Sequence, residues 1–280
     1  MTKKLKLLLI ILITIGLMTK PIIFVYAQET ATTSNFQTNT SILQKALKSI
    51  EDLINIKDEE GESLAFRIKA FKQVIELAIA EAKNLKVKLI SLEKLDEKEL
   101  DWQNEQIEKL NTIIEFYEKE QKTLSEQKAV TLEWIKTKAQ NFKEWREDNY
   151  FPVAEDINNF LLIQQQQKAI ETAQERLKKI NRDLQLFKKR EIKNLKLLSD
   201  LFAKAELAIA ESIKLNKQAT TAFWEDQKKS KLINNTTTTV SSTTTLSISS
   251  SINIRDLIKE SLNKIKEAYQ IFIEMSKLVK

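Results

Sequence analysis

The chain has 280 residues, with 45 Lys and Arg against 39 Asp and Glu, two glycines, two prolines, no cysteine and no histidine. Without cysteine or histidine it has no disulfide, no ordinary zinc sphere, no Ser-His-Asp or Cys-His constellation and no Glu-x-x-His di-iron motif. The net charge of +6 is largely local, because Lys3, Lys4, Lys6 and Lys20 fall in an acid-free first 27 residues. The rest mixes Lys with Glu as solvated helix faces do, which argues against a nucleic-acid footprint.

Residues 1–27 read as an export leader. Lys3, Lys4 and Lys6 precede an apolar run from Leu7 to Met18, and Val25-Tyr26-Ala27 offers a cleavage site between Ala27 and Gln28. The run is about a dozen residues, short of the roughly 20 that a spanning helix needs. The alternative is an uncleaved anchor that uses Ile22 to Ala27 as extra length while Lys20 snorkels. Both readings place the bulk of the chain outside the cytoplasm, secreted, periplasmic or bound to the cell envelope. Residues 28–40 are Thr/Ser-rich and nearly uncharged, the composition of a flexible tether.

Past the leader the only glycine is Gly61 and the only proline Pro152. That is too little turn chemistry for a sheet, while helix formers dominate. The predicted fold is all-α, an elongated antiparallel helical hairpin or coiled-coil bundle over residues 41–232. Its first seam is Leu64, Ile68, Phe71, Ile75, Ala78, Ala82, Leu85, Leu89 and Leu92, spaced alternately by four and three. Asp96 with Glu99 reads as a capping box that restarts the helix. A second seam, Ile107, Leu110, Ile114, Tyr117, Gln121 and Leu124, resumes at Leu132, Ile135, Ala139 and Phe142. The spacing predicts one helix over 97–148 with a four-residue stutter near Lys128. Asn149-Tyr150-Phe151-Pro152 then predicts an elbow, with Phe151 non-helical and Pro152 in the first turn of the next helix.

The third seam opens with Val153, Ile157 and Phe160, fades through Gln164 to Gln167, and recovers at Ile170, Ala173, Leu177, Ile180, Leu184 and Phe187. It continues in phase through Leu198, Leu201, Ala205, Ala208, Ser212, Leu215, Ala219 and Ala222. Residues 233–251 form a second Thr/Ser-rich linker. It leads to an amphipathic helix over 252–280, capped by Asn253, with a stripe of Ile254, Ile258, Leu262, Ile265, Tyr269, Phe272, Met275 and Val279. This helix is expected to dock on its own chain, on a partner or second copy, or on a membrane surface.

One decapeptide nearly recurs: ELAIAEAKNL at 76–85 and ELAIAESIKL at 206–215. Both copies put small residues in a seam, so close helix packing is favoured over a duplicated ligand site. The aromatics Phe142, Trp145, Tyr150 and Phe151 gather beside Pro152, with Trp134 three turns before Trp145. They read as a plug closing a helical hairpin, or as an exposed patch for a protein or sugar. Trp102 and Trp224 read as isolated seam-edge residues.

No catalytic, cofactor-binding or metal-binding residue can be assigned. A single glycine builds no phosphate loop or nucleophile elbow. Carboxylates alone suffice for glycosidase chemistry, yet nothing in a charged helical pattern specifies the concave pocket it needs. The expected function is that of an exported, non-enzymatic coiled-coil spacer, scaffold or protein-interaction module at the cell envelope. It implies a protein partner or self-association, no cofactor, no nucleic acid, no small-molecule substrate, and membrane contact only through an uncleaved leader. The alternatives are a secreted helical membrane-active toxin and a periplasmic holdase. In general plan the chain resembles exported bacterial coiled-coil proteins, a likeness of style that no motif ties to one family.

Overall fold

The structure, a computed structural model, describes residues 60–189, 194–236 and 253–279. The leader with Ala27 and Gln28, the 28–40 tether and residues 237–251 of the second linker lie outside the described residues. The protein is all-α. Its helices are α1 (Glu60–Ile90), α2 (Glu97–Glu126), α3 (Leu132–Trp145), a π-helical turn (Arg146–Tyr150), α4 (Phe151–Lys189), α5 (Leu195–Thr236) and α6 (Ile254–Leu278). Among the described residues no helix is long and apolar enough to cross a membrane.

The helix ends show how a chain almost without glycine makes its turns. After α1, Lys94 takes a left-handed backbone (φ 60°), and Asn194 does the same before α5 (φ 72°). Asparagine tolerates that region; lysine enters it at a cost of about 1–2 kcal/mol. Asp96 then starts α2 with a complete capping box: its carboxylate accepts from the Glu99 backbone N–H, and the Glu99 carboxylate accepts from the Asp96 N–H. Asn253 caps α6 through the Arg255 N–H.

Three expectations about continuity are corrected. Residues 97–148 are not one helix: α2 stops at Glu126, and Thr131 caps α3 by accepting from the Trp134 N–H. The run ends where Gln127 turns extended (φ −69°, ψ 112°), without glycine or proline, so the predicted stutter is a loop. The predicted elbow, in contrast, does not exist. Phe151 is helical (φ −62°, ψ −41°), and its N–H reaches the Arg146 carbonyl five residues back. Pro152 has no N–H for the Asp148 carbonyl, and its ring would press on that carbonyl in a regular α-turn. Widening the preceding turn to π geometry relieves the clash, and the Asn149 side chain donates to the Trp145 carbonyl. Helical backbone therefore runs from Leu132 to Lys189. Lastly, the run from Phe187 to Leu198 is not one helix, since α4 ends at Lys189 and α5 begins at Leu195, whereas α5 extends to Thr236, past the expected linker start at 233.

Packing follows most of the stripes, although Leu132 of the second seam and Val279 of the last are exposed. In the first seam Phe71, Ile75, Ala78, Ala82, Leu85 and Leu89 are buried, with Leu64 and Ile68 partly so. α1 packs on α2, with Lys83 meeting Glu118 and Lys86 meeting Asn111, so the two run in opposite directions. α5 opposes α4 in the same way: Leu184 clusters with Leu198 and Leu201, and Phe160 lies against Phe223. α6 lies against both α4 and α5 within this chain.

Leu198, Leu201, Ala205 and Ala208 are buried as expected. Beyond Ser212, however, the seam of α5 steps to Asn216, Ala219, Phe223 and Gln227, leaving Leu215 half-buried. A straight helix of 3.6 residues per turn drifts off a seven-residue repeat, and the eleven-residue spacing of 205, 216 and 227 follows that drift. The run Phe160 to Ile163 is the one place where α4 is apolar nearly all round. There α4 is flanked by several helices, with Phe160 against Trp102 of α2 and Phe223 of α5.

Candidate functional site

The aromatics near Pro152 divide between inside and outside. Phe142 and Tyr150 are buried, and Trp145 stacks on Phe116 of α2 with ring centroids 3.7 Å apart. Phe71 meets Phe142 edge-on at 5.6 Å, and Tyr117 lies 5.3 Å from Phe142. Phe151 faces outward with 42% of its surface exposed, and Pro152 is exposed beside it. Trp134 is partly buried against the same core. The predicted cluster is therefore three-quarters core, with one exposed ring on its rim.

At its centre lies a charge. The Arg146 side chain is 4% exposed, and its Nη2 donates to Glu81 Oε2 at 2.7 Å, while Glu81 keeps 37% exposure. The guanidinium also lies 5.1 Å from the Tyr150 ring, 5.2 Å from Phe151 and 5.9 Å from Tyr117. Seam spacing read for its apolar residues misses this arginine, although it carries a signal: Ile135, Ala139 and Phe142 lead by the same spacing to position 146. A charged residue in a seam slot needs a partner on a neighbouring helix, and Glu81, from the repeated ELAIAE, supplies it. The second copy does likewise, since Glu211 pairs with Lys264 of α6 at 2.6 Å. The repeat is thus a packing device of small seam residues next to a cross-helix glutamate.

Burial pushes the Tyr117 and Tyr150 phenols well above the ordinary tyrosine range, with Glu81 adding to the effect and Arg146 opposing it. Arg146 Nε and the Tyr117 hydroxyl have no protein partner.

The two remaining tryptophans overturn another expectation. Trp102 is buried, not isolated: its ring lies 4.6 Å from Phe160, 5.3 Å from Phe223 and 6.3 Å from Trp224. Its Nε1–H donates to Gln227 Oε1 at 3.0 Å, a residue 125 positions away. Trp224 is half-buried and carries the Lys98 ammonium 3.7 Å from its ring centre. Nearby, burial pushes the Asp156 carboxyl above the ordinary range, partly offset by the Gln227 amide and Lys109. The indole and the amide thus form a polar contact within an aromatic core.

A third polar group joins α4, α5 and α6. The Gln166 amide Nε2 donates to Ser261 Oγ at 2.8 Å and to Ser212 Oγ at 3.3 Å. The Ser261 hydroxyl donates to the Ser212 carbonyl at 2.9 Å, and the two Oγ atoms are 2.8 Å apart. With Ser261 committed to that carbonyl, Ser212 is left as donor between the hydroxyls.

A groove of about 560 Å³ runs along α5, lined by residues including Ile213, Lys214, Lys217, Thr221 and Glu225. Glu225 is the only acid on its walls, whereas glycoside hydrolysis needs two facing carboxyls. Among the described residues no group of His, Cys, Asp and Glu could hold a metal ion. No protein-family model, curated protein or solved structure matches the chain.

Proposed function

We propose that the chain is an exported, non-enzymatic coiled-coil protein that acts as a spacer or scaffold at the cell envelope. In this reading its helices form an antiparallel bundle, with Thr/Ser-rich tethers at 28–40 and beyond the end of α5. One observation carries it: the described helices direct most of their apolar stripe residues into one another, and several of their buried polar groups bond across helices. Arg146–Glu81, Trp102–Gln227 and Gln166–Ser212–Ser261 each tie two or three helices together. Helix lengths suit spacing, since α5 alone has 42 residues, about 63 Å at 1.5 Å per residue. Export rests on Lys3, Lys4, Lys6 and the apolar run after them.

The toxin alternative is weakened by the placement of the apolar run Phe160 to Ile163, which is largely sequestered in the core, although Ile273 of the run Ile271 to Ile273 is exposed. Small-angle scattering of the mature protein tests the spacer reading: a maximum dimension well beyond that of a sphere of equal mass is expected, and a spherical profile would reject it. Amino-terminal sequencing of protein recovered outside the cytoplasm should begin at Gln28. Crosslinking in intact cells should capture an envelope partner or a second copy.

A further inference from the structure

We propose that the Gln166–Ser212–Ser261 layer is the key that sets the longitudinal register of α6 on the groove between α4 and α5. The buried positions of α6 are Ile254, Ile258, Ser261, Ile265, Ala268, Phe272 and Met275. They repeat by four and three without interruption, so a slide of seven residues replaces Ile258 by Ile265, Ser261 by Ala268 and Ala268 by Met275. The slots of Ile258, Ile265 and Phe272 stay apolar, taking Ile265, Phe272 and Val279, while that of Ile254 takes Ser261 and that of Ala268 takes the larger Met275, so the apolar residues disfavour the slide only in part. The hydroxyl of Ser261 does not slide freely. With Ala268 opposite Ser212, the Gln166 amide and the Ser212 hydroxyl lose Ser261 as a partner in a site where Gln166, Ser212 and Ser261 are each at most 1% exposed. Unpaired buried groups of this kind are costly, and one polar residue in an apolar seam is the best attested way of fixing register.

The flanking ion pairs discriminate less. Lys264–Glu211 and Arg255–Glu155 lie at the rim, with side chains between 31% and 61% exposed, where such pairs contribute little. The segment between Thr236 and Asn253 has 16 residues, enough chain for a shift of about 10 Å at roughly 3.3 Å per extended residue. Connectivity therefore does not fix the alignment either.

The chain has no native cysteine, so alignment can be read by introduced pairs in the full-length protein. Glu211→Cys with Lys264→Cys reports the observed register, and Glu211→Cys with Ile271→Cys reports the slide that brings Ala268 to the layer. With the layer intact, the 211–264 pair should bridge at least roughly tenfold more than 211–271, the weight of about one unpaired buried group. The double change Ser261→Ala with Ala268→Ser keeps composition and moves the hydroxyl by one heptad. It should shift the ratio of the two bridges by roughly tenfold or more towards 211–271. The apolar set Gln166→Leu, Ser212→Ala and Ser261→Ala should let both pairs bridge to comparable extents. A ratio that stays at its starting value in both the moved-hydroxyl chain and the apolar set would overturn the proposal.

Discussion

Gln106 is the sharpest place to test how polar groups contribute to this core. It is 1% exposed, and neither Oε1 nor Nε2 has a protein partner. Gln166 is equally buried and its Oε1 also lacks a protein partner, yet its amide nitrogen donates to two serines. A buried amide without partners costs about 1–3 kcal/mol, while replacing it with an apolar side chain of similar volume costs little in packing. Gln106→Met should therefore stabilise the protein by about 1–3 kcal/mol, or by roughly 2–4 °C in Tm per kcal/mol at this size. Gln166→Met should give no such gain and should destabilise by up to about 1 kcal/mol, since two donated bonds are lost while only one unpaired atom, Oε1, is removed. Urea titrations followed by circular dichroism at 222 nm and by tryptophan fluorescence would give both values. If Gln106→Met is neutral or destabilising, the amide has a partner, such as an ordered water, and the reasoning from unpaired atoms fails for this core.

Glu81→Ala should destabilise by about 1–3 kcal/mol because it strands the buried Arg146 guanidinium, whereas Arg146→Met, which removes the charge and keeps an apolar stem, should stay within about 1.5 kcal/mol of the parent; equilibrium denaturation separates the two. Trp102→Ala should cost about 3–5 kcal/mol and Trp224→Ala markedly less, read from the same titrations. Burial raises the Asp156 carboxyl in the folded protein, so at neutral pH the ionised form opposes folding and acidification relieves it. Asp156→Asn should accordingly be more stable than the parent at pH 7. Its advantage should shrink as pH falls through the raised folded value and be gone below the ordinary 3.8, which thermal melts across that range would show.

Much of the fold was legible where periodicity and end signals agreed. The seam from Phe71 to Leu89 lies inside as its spacing demands, and Asp96 and Asn253 cap where their side chains allow. The stripe of α6, in contrast, is buried at Ile254, Ile258, Ile265, Phe272 and Met275 but shifts to Ser261 and Ala268 between them, leaving Leu262 and Tyr269 partly buried and Val279 exposed. The features that escaped depended on contacts distant in sequence. The burial of Trp102 needs Phe160 and Phe223, and that of Arg146 needs Glu81, pairings that spacing along one helix cannot reveal. The loop before Thr131 carries neither glycine nor proline, so local chemistry gave a weak stop. At Pro152 the opposite occurred, because a strong local breaker was absorbed by a widened turn under aromatic packing. Leu215 lost its place to Asn216 because real helices drift off the heptad.

That widened turn also determines orientation. Each added residue on a helix rotates the downstream segment by about 100°, so removing one residue near Asn149 would swing Ile157 and Phe160 away from the indole of Trp102 more than it would shorten anything. Azimuth is thereby encoded alongside length: whatever attaches beyond Tyr150 is aimed at a fixed compass bearing relative to whatever attaches before Trp145.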